Sequence, residues 1–366
     1  MRIGIDAQTT LGEKTGFGFY VENLTRALQK TAEGDQFKLL LPDQTEDLST
    51  PGRWWWDQVT VPRLARRAQV DLLHQPAFSV PMFYAGKKIV TIHDVISLFH
   101  TNIPFFSRQF YSKWMPFSYH FADHFITISE HSKRDIHQKL GIANDRITVI
   151  YLAADEEYHR PVSREKIDQV VQKYHIEGPY LLNVGTINPR KNLEFLVQVF
   201  AEAKKTHHLP HRLVLTGKKG WHYDALFRLV KDLKLTEDVL FTGYVGDTDK
   251  PALYHGADLF LFPSIYEGFG LPPLEAMSFG TPVISSNTSS LPEVIGDGGI
   301  SLSPSDHGAW VQAIMQVITD PKLHGQLAEK GRAQAKKFSW NRCAAETLQV
   351  YHTVCESEQN QSRSVT

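Results

Sequence analysis

Cysteine is nearly missing. The 366 residues carry two, Cys343 and Cys355, and two thiols in a chain this long make no disulfide framework. The chain therefore reads as reduced and intracellular. Net charge is nearly missing too: 39 Lys and Arg against 40 Asp and Glu leave −1. No global field draws nucleic acid or an anionic membrane, so any phosphate must be held by a few placed groups. Long apolar runs are missing as well, and no window of about twenty residues could span a bilayer. The opening MRIGIDAQTT meets charge at Arg2 and Asp6 and offers no signal-peptide core. What remains is ordinary for a globular chain, 42% hydrophobic and 22% charged. It is long enough for two domains rather than one.

Short apolar runs alternate with helical patterns. Ile3 to Ala7 reads as a strand, and Gly18 to Lys30 as a helix. FKLLLP, QVDLLHQ, KKIVTIHD, HFITISE and RITVIYLAAD continue the first series. A second series runs through YLLNVGT, HRLVLTG, DVLFTGY, ADLFLFPS and TPVISSN. Strands alternating with helices predict parallel sheets covered on both faces. The fold class is therefore α/β, with two Rossmann-like doubly wound domains facing a cleft, where ligands of such sheets bind. The expected division is 1–160, 161–338, and a final helix with tail over 339–366. That helix, WNRCAAETLQVYHTV, is expected to pack back across both domains. The tail ESEQNQSRSVT is polar and is expected to fray.

The strongest chemical signal is YEGFGLPPLEAMSFGTPV, from Tyr266 to Val283. Glu267 and Glu275 stand in an E-x7-E spacing. Gly268 and Gly270 let backbone N–H groups approach a ligand. Pro272 and Pro273 open a helix, with Glu275 expected in its first turn. Such a helix N-terminus suits an anion. A second signal, VGTINPRKNLEFL, places Arg190 and Lys191 at a strand-to-helix turn, a fork and a point charge suited to a diphosphate. A third, TIHD, sets His93 and Asp94 at a strand end. A fourth, KTGFGFY from Lys14 to Tyr20, carries Gly16 and Gly18. It lacks the third glycine of a dinucleotide fingerprint.

Together these segments resemble the retaining glycosyltransferases of family 4 (group 1), which have the GT-B fold, and the resemblance covers nearly the whole chain. It implies that Glu267 and the amides of Gly268, Phe269 and Gly270 meet the donor sugar and diphosphate. Leu271 would line the donor pocket, and Glu275 would hold the ribose hydroxyls, a diol suited to a carboxylate. Many family members carry Arg directly after the motif glycine where this chain has Thr186, so Arg190 beside Lys191 would supply the second charge. Gly217, and Tyr244 with Val245, match segments beside the donor and its base. His93 matches the first-domain histidine near the reaction centre, and the loop with Gly16 and Gly18 would close over the diphosphate. The implied catalytic set is His93, Arg190, Lys191 and Glu267. No metal or other cofactor is expected. The partners expected are a nucleoside-diphosphate sugar and a saccharide or lipid-linked acceptor. The pattern looks like mannosyl and rhamnosyl transferases of surface polysaccharides, which leans the donor to GDP-mannose ahead of UDP- or dTDP-sugars.

Other signals are set aside. Asp247-Thr248-Asp249 precedes a helix and reads as a cap rather than a metal site. His207, His208 and His211 read as surface loop, since no carboxylate or cysteine is near in sequence. Trp54 to Trp56 beside Arg53, and the aromatic stretch from Phe99 to Phe125, read first as core and acceptor-side packing. Contact with a lipid-linked acceptor at a membrane surface is the second reading. Sequons at Asn23 and Asn287 carry no meaning in a cytosolic chain. The rival functions are a GT-B epimerase or phosphorylase, a non-catalytic sugar-binding protein and a dehydrogenase.

Overall fold

The computed structural model describes residues 1–11, 16–31, 34–42, 48–99, 105–155, 158, 160–220 and 223–363. Two compact units emerge, Met1–Leu152 with Ser339–Thr366, and Ala153–Phe338. The first holds β1 (Arg2–Asp6), β2 (Gln36–Leu40), β3 (Leu72–Gln75), β4 (Lys87–Thr91), β5 (His124–Thr127) and β6 (Ile147–Val149). The second holds β7 (Tyr180–Val184), β8 (Arg212–Thr216), β9 (Val239–Gly243), β10 (Leu259–Phe262), β11 (Val283–Ser286) and β12 (Ile300–Leu302).

The sheet orders are β2-β1-β3-β4-β5-β6 and β12-β11-β10-β7-β8-β9. Every pairing is parallel. Parallel sheets bury both faces, so their central strands are apolar throughout rather than alternating. β3, β7, β10 and β11 are buried at every residue. The strand order of the second sheet reverses at β7 and β10, and that of the first at β1 and β3. Two Rossmann-like sheets are thus present, and their switch points say where ligands belong.

Caps set the helix limits. Ser129 Oγ accepts from Ser132 N and starts the helix Glu130–Leu140, which Gly141 ends at φ 70°. The final helix, Trp340–Arg363, packs on the helix Gly16–Thr31 within the first unit. Its helical backbone runs to Arg363; residues 364–366 of the tail lie outside the described residues. β12 escaped the sequence reading. It is three residues long, and its middle residue is exposed, so no apolar run marks it.

The D-x-D segment does something other than cap. Asp249 precedes the helix Lys250–Gly256, yet its carboxylate makes no cap bond. It is buried instead and accepts from Lys166 Nζ at 3.0 Å, Lys173 Nζ at 2.6 Å and Tyr174 Oη at 3.2 Å. That ties the helix Arg164–Lys173 to the segment after β9. Asp247 pairs with Lys250 at 2.6 Å. His211 is buried rather than in a surface loop, with Nε2 3.1 Å from Asp258 Oδ2.

Candidate active site

In the second unit the singled-out residues follow the carboxyl ends of four adjacent strands, β10, β7, β8 and β9. β7 ends at Gly185. A short turn, Pro189–Lys191, then leads through Asn192 into the helix Leu193–His207. β10 ends at Phe262, and the chain runs through Ser264 and Glu267 to the helix Leu271–Phe279. The two segments meet at the switch point. Lys191 Nζ lies 2.6 Å from Glu267 Oε1, and Arg190 Nη1 lies 2.6 Å from Glu267 Oε2. Ser264 Oγ donates to Oε1 at 2.6 Å. Lys191 Nζ also stands 4.6 Å from the centre of the Phe262 ring, a cation–π contact.

Glu267 is ionised. Burial alone would raise the Glu267 carboxyl, but the charges of Lys191 and Arg190, with hydrogen bonds from Lys191 and Ser264, hold it down at about 2. Burial moves Lys191 below its ordinary value, against the pull of Glu267. The ordinary value of the Glu267 carboxyl is 4.5, so the stability it contributes is fully present above pH 4.5 and is lost as pH falls toward 2. In urea titrations the gap between wild type and Glu267→Gln should therefore be widest above pH 4.5 and close as pH approaches 2. A gap independent of pH would contradict this charge state.

The backbone beyond Glu267 is held by two serines of the segment SSLPEVIGDGG, which resembles a family segment after the donor helix. Ser289 Oγ accepts from Glu267 N at 2.9 Å. Ser290 Oγ contacts the carbonyls of Glu267 at 2.9 Å and Phe269 at 2.6 Å. The segment Gly268–Gly270 is buried, and the Phe269 ring packs edge-on against Phe338 at 5.8 Å. Gly270 caps the next helix at φ 124°, where an added Cβ would meet Leu291 at 2.9 Å. Leu271 is half-buried. Glu275 is the helix's fifth residue, and the first turn holds no acid, so the first-turn expectation is corrected. Its Oε2 accepts from the buried Tyr254 hydroxyl at 2.7 Å. Burial raises its pKa, with Lys250 opposing.

The ends of β7, β8 and β9 are laced together. Gly185 N donates to Thr216 O, and Gly217 N donates to Gly243 O, each at 2.8 Å. Gly217 sits at φ 149°. Thr186 is exposed. Tyr244 is exposed with Lys218 Nζ 4.9 Å from its ring centre, while Val245 is buried.

In the first unit His93 follows β4. It is buried, and its Nε2 lies 2.9 Å from the Pro76 carbonyl. A carbonyl only accepts, so Nε2 carries the hydrogen and Nδ1 is left as an acceptor. Burial pulls His93 down to about 4, with the Pro76 bond opposing, so the ring is neutral near pH 7. Phe17 and Tyr20 flank it, each with its ring centre 4.8 Å away. Asp94 Oδ1 accepts from Ile96 N at 2.9 Å. Gly16 opens the helix Gly16–Thr31, and a Cβ there would meet nothing within 4 Å. Gly18 is buried in the same helix. Lys14 and Thr15 lie outside the described residues.

Sequence reasoning missed a buried charge network at this unit's switch point. Arg53 lies 3.6 Å from Asp6 and 3.9 Å from Asp57. Burial raises Asp57 to about 8, with Arg53 opposing. The aromatic stretch splits in two. Trp56, Phe110, Tyr119 and Phe125 are core, whereas Trp54, Trp55, Phe105, Phe106, Phe117 and Phe121 are exposed, correcting the core reading for those six. Trp54, Phe106, Phe110, Trp114 and Phe117 line an apolar cavity of about 630 Å³ with Lys113 at its wall. Among the described residues no helix is long and apolar enough to cross a membrane. Nor could any group of three or more His, Cys, Asp or Glu residues hold a metal ion.

Two Rossmann-like sheets, one with a cationic cluster at its switch point, match the GT-B fold. Comparison with known proteins carries this further. The family model "Glycosyl transferases group 1" matches residues 163–334 and "Glycosyltransferase Family 4" matches 15–158. The O-antigen chain mannosyltransferase B of Escherichia coli is 36% identical over 285 residues, covering 76% of this chain and 74% of that one. The serotype-specific mannosyltransferase WbdA of E. coli is 32% identical over 302 residues, covering 80% of this chain and 36% of the relative. The chain thus spans about a third of WbdA's length. Anabaena HepE, solved in complex with UDP and glucose, superposes with a TM-score of 0.75 at 18% identity, covering 96% of this chain and 100% of that one. The chain belongs to the group 1, family 4 glycosyltransferases and is a glycosyltransferase.

Proposed function

We propose that the chain transfers mannose, with retention, from GDP-mannose to a saccharide or lipid-linked acceptor during O-antigen-type polysaccharide synthesis. The observation that carries the transfer chemistry is the Arg190–Lys191–Glu267 cluster at the β7/β10 switch point. The sugar rests on the mannosyltransferases among the relatives. In this reading the diphosphate takes up Arg190 and Lys191, now shared with Glu267. Thr186 and the backbone at Gly268, Phe269 and Gly270 approach the sugar and phosphates, and Leu271 lines their pocket. Glu275 accepts from the ribose diol with the carboxylate edge that Tyr254 leaves open. Gly217, Tyr244 and Val245 face the base. In the first unit, Gly16 and Gly18 approach the diphosphate, and Nδ1 of His93 accepts from a sugar hydroxyl.

The bond from the anomeric carbon to the β-phosphate oxygen breaks, leaving negative charge on the diphosphate. The two cations stabilise that charge as fixed, preorganised groups, a role that a divalent metal plays elsewhere, and the reaction is proposed to need none. The acceptor oxygen bonds the anomeric carbon on the face the diphosphate leaves, and its proton passes to the departing phosphate. A thermal-shift panel of GDP, UDP, dTDP and ADP in EDTA tests the donor. A shift largest with GDP, followed by product of retained anomeric configuration by NMR, is expected. No shift with GDP, or an inverted product, would overturn the donor or the stereochemistry respectively.

We also place the enzyme in the cytoplasm, at the inner membrane face. Two cysteines in 366 residues make no disulfide framework, and the aromatic cavity suits the hydrocarbon of a lipid-linked acceptor. Exposed Phe105 and Phe106 stand with Arg108 and Lys113, the apolar-plus-basic pairing that anionic lipid attracts. Phe106→Ser should weaken flotation with anionic vesicles several-fold while leaving GDP binding intact. Unchanged flotation would remove the membrane contact.

A further inference from the structure

A buried chain of hydrogen bonds runs through the first unit from the final helix, across β3 and β4, to the helix Gly16–Thr31. Tyr351 Oη lies 2.7 Å from His74 Nδ1, His74 Nε2 lies 2.8 Å from Thr91 Oγ1, and Thr91 Oγ1 lies 3.0 Å from Tyr20 Oη. The four side chains sit on four different elements, and none is more than 2% exposed. Burial holds His74 down at about 3, with His93 adding slightly, so its ring is neutral, one nitrogen donating and the other accepting. The chain then has two self-consistent polarities. Either Tyr351 donates to His74, His74 to Thr91 and Thr91 to Tyr20, or every bond runs the other way. In both, His74 and Thr91 are gripped from two sides, and no buried polar atom between the ends is left unmet.

The relay matters because of what its members carry. Besides Phe17, three things orient His93. One is its own strand end, one is the Pro76 carbonyl that takes its Nε2 hydrogen, and one is the edge-on ring of Tyr20, at 88°. Thr91 is two residues before His93 on β4. His74 is two residues before Pro76 on β3. Tyr20 supplies the ring. The relay therefore ties together the three supports of His93, and Tyr351 locks it from the far end of the chain. We infer that Tyr351, His74 and Thr91 are positioning residues that fix the imidazole of His93 in its Nε2–H tautomer and orientation. The inference rests on the role proposed above for His93 in sugar transfer.

Thr91→Val keeps the shape and removes the central hydroxyl, whereas Thr91→Ser restores it. Thr91→Val should lower kcat about five- to twentyfold, the scale of coupling through a packed network, with the KM for GDP-mannose within about twofold. Thr91→Ser should recover most of the loss. Side-chain ¹⁵N shifts should report His93 leaving its single Nε2–H tautomer in Thr91→Val, a change that lost packing alone would not produce. If Thr91→Val does not fold, Tyr351→Phe breaks the same chain from its end and is read the same way. The inference is overturned if the variant that folds only melts earlier, keeping wild-type kcat and His93 shifts. It is also overturned if valine and serine at 91 are equally impaired, which would make packing the cause. Failure of the broader functional reading looks different: wild type itself would form no glycosylated product, and the His93 shifts would then decide the relay alone.

Discussion

Lys191→Ala should lower kcat by about 10²- to 10³-fold, the cost of removing one preorganised group that meets developing negative charge. The loss should fall on turnover more than on the fold. Glu267 keeps Arg190 at 2.6 Å and Ser264 at 2.6 Å after the lysine is gone, so the buried carboxylate is not orphaned. Lys191→Met, which retains the alkyl stem against Phe262, should show the same kinetic deficit with a smaller change in melting temperature. Steady-state kinetics against donor concentration, alongside calorimetry, separate the two effects. A variant with turnover within about twofold of wild type would remove Lys191 from the leaving-group site.

Gly217→Ala should be the most damaging of the glycine substitutions near the site. An added Cβ would fall 2.1 Å from the Gly185 carbonyl oxygen and 2.6 Å from its carbon. The obstruction is backbone, so no side-chain rotation relieves it, and φ is 149°, a conformation L side chains rarely adopt. The Gly185 N–Thr216 O bond also pins the end of β7 to β8, and the Gly217 N–Gly243 O bond pins β8 to β9, each at 2.8 Å. A loss of about 3 kcal/mol or more is expected from strain and overpacking together, read as a lower urea midpoint. GDP binding should weaken as well, because displacing Gly185 moves the turn that carries Arg190 and Lys191. Gly325→Ala is the opposite case. A Cβ there meets nothing within 4 Å, inside the helix Pro321–Ala335, and should stabilise by about 0.5–1 kcal/mol. A normal midpoint in Gly217→Ala would show that the strand ends yield.

The strands of both sheets were legible because parallel strands buried on two faces leave unbroken apolar runs, and β12 was not because an edge strand of three residues leaves none. Arg190, Lys191 and Glu267 could be named from local spacing. Their union could not, since 76 residues separate Lys191 from Glu267 and only the strand order brings β7 beside β10. The same limit explains Asp249. Its cap-like position is visible in sequence, but the two lysines and the tyrosine that claim its carboxylate lie 75 to 83 residues earlier. Arg53 reads as a basic flank of three tryptophans because Asp6, its partner, sits 47 residues earlier at the end of β1. The tautomer of His93 depends on one carbonyl at Pro76, which no pattern encodes.

The placement of the cationic cluster just beyond β7 and β10 also bears on how the enzyme fails when heated. These are the two innermost strands of the second sheet, flanked by β11 and β12 on one side and β8 and β9 on the other. Frayed edges can open without disturbing them, whereas separating β7 from β10 splits the unit through its middle. Amide protons of Leu181, Leu182, Phe260 and Leu261 should therefore exchange only through global opening. Donor binding should then persist up to the main calorimetric transition and vanish with it, so that thermal inactivation of the donor site and unfolding of its unit are one event.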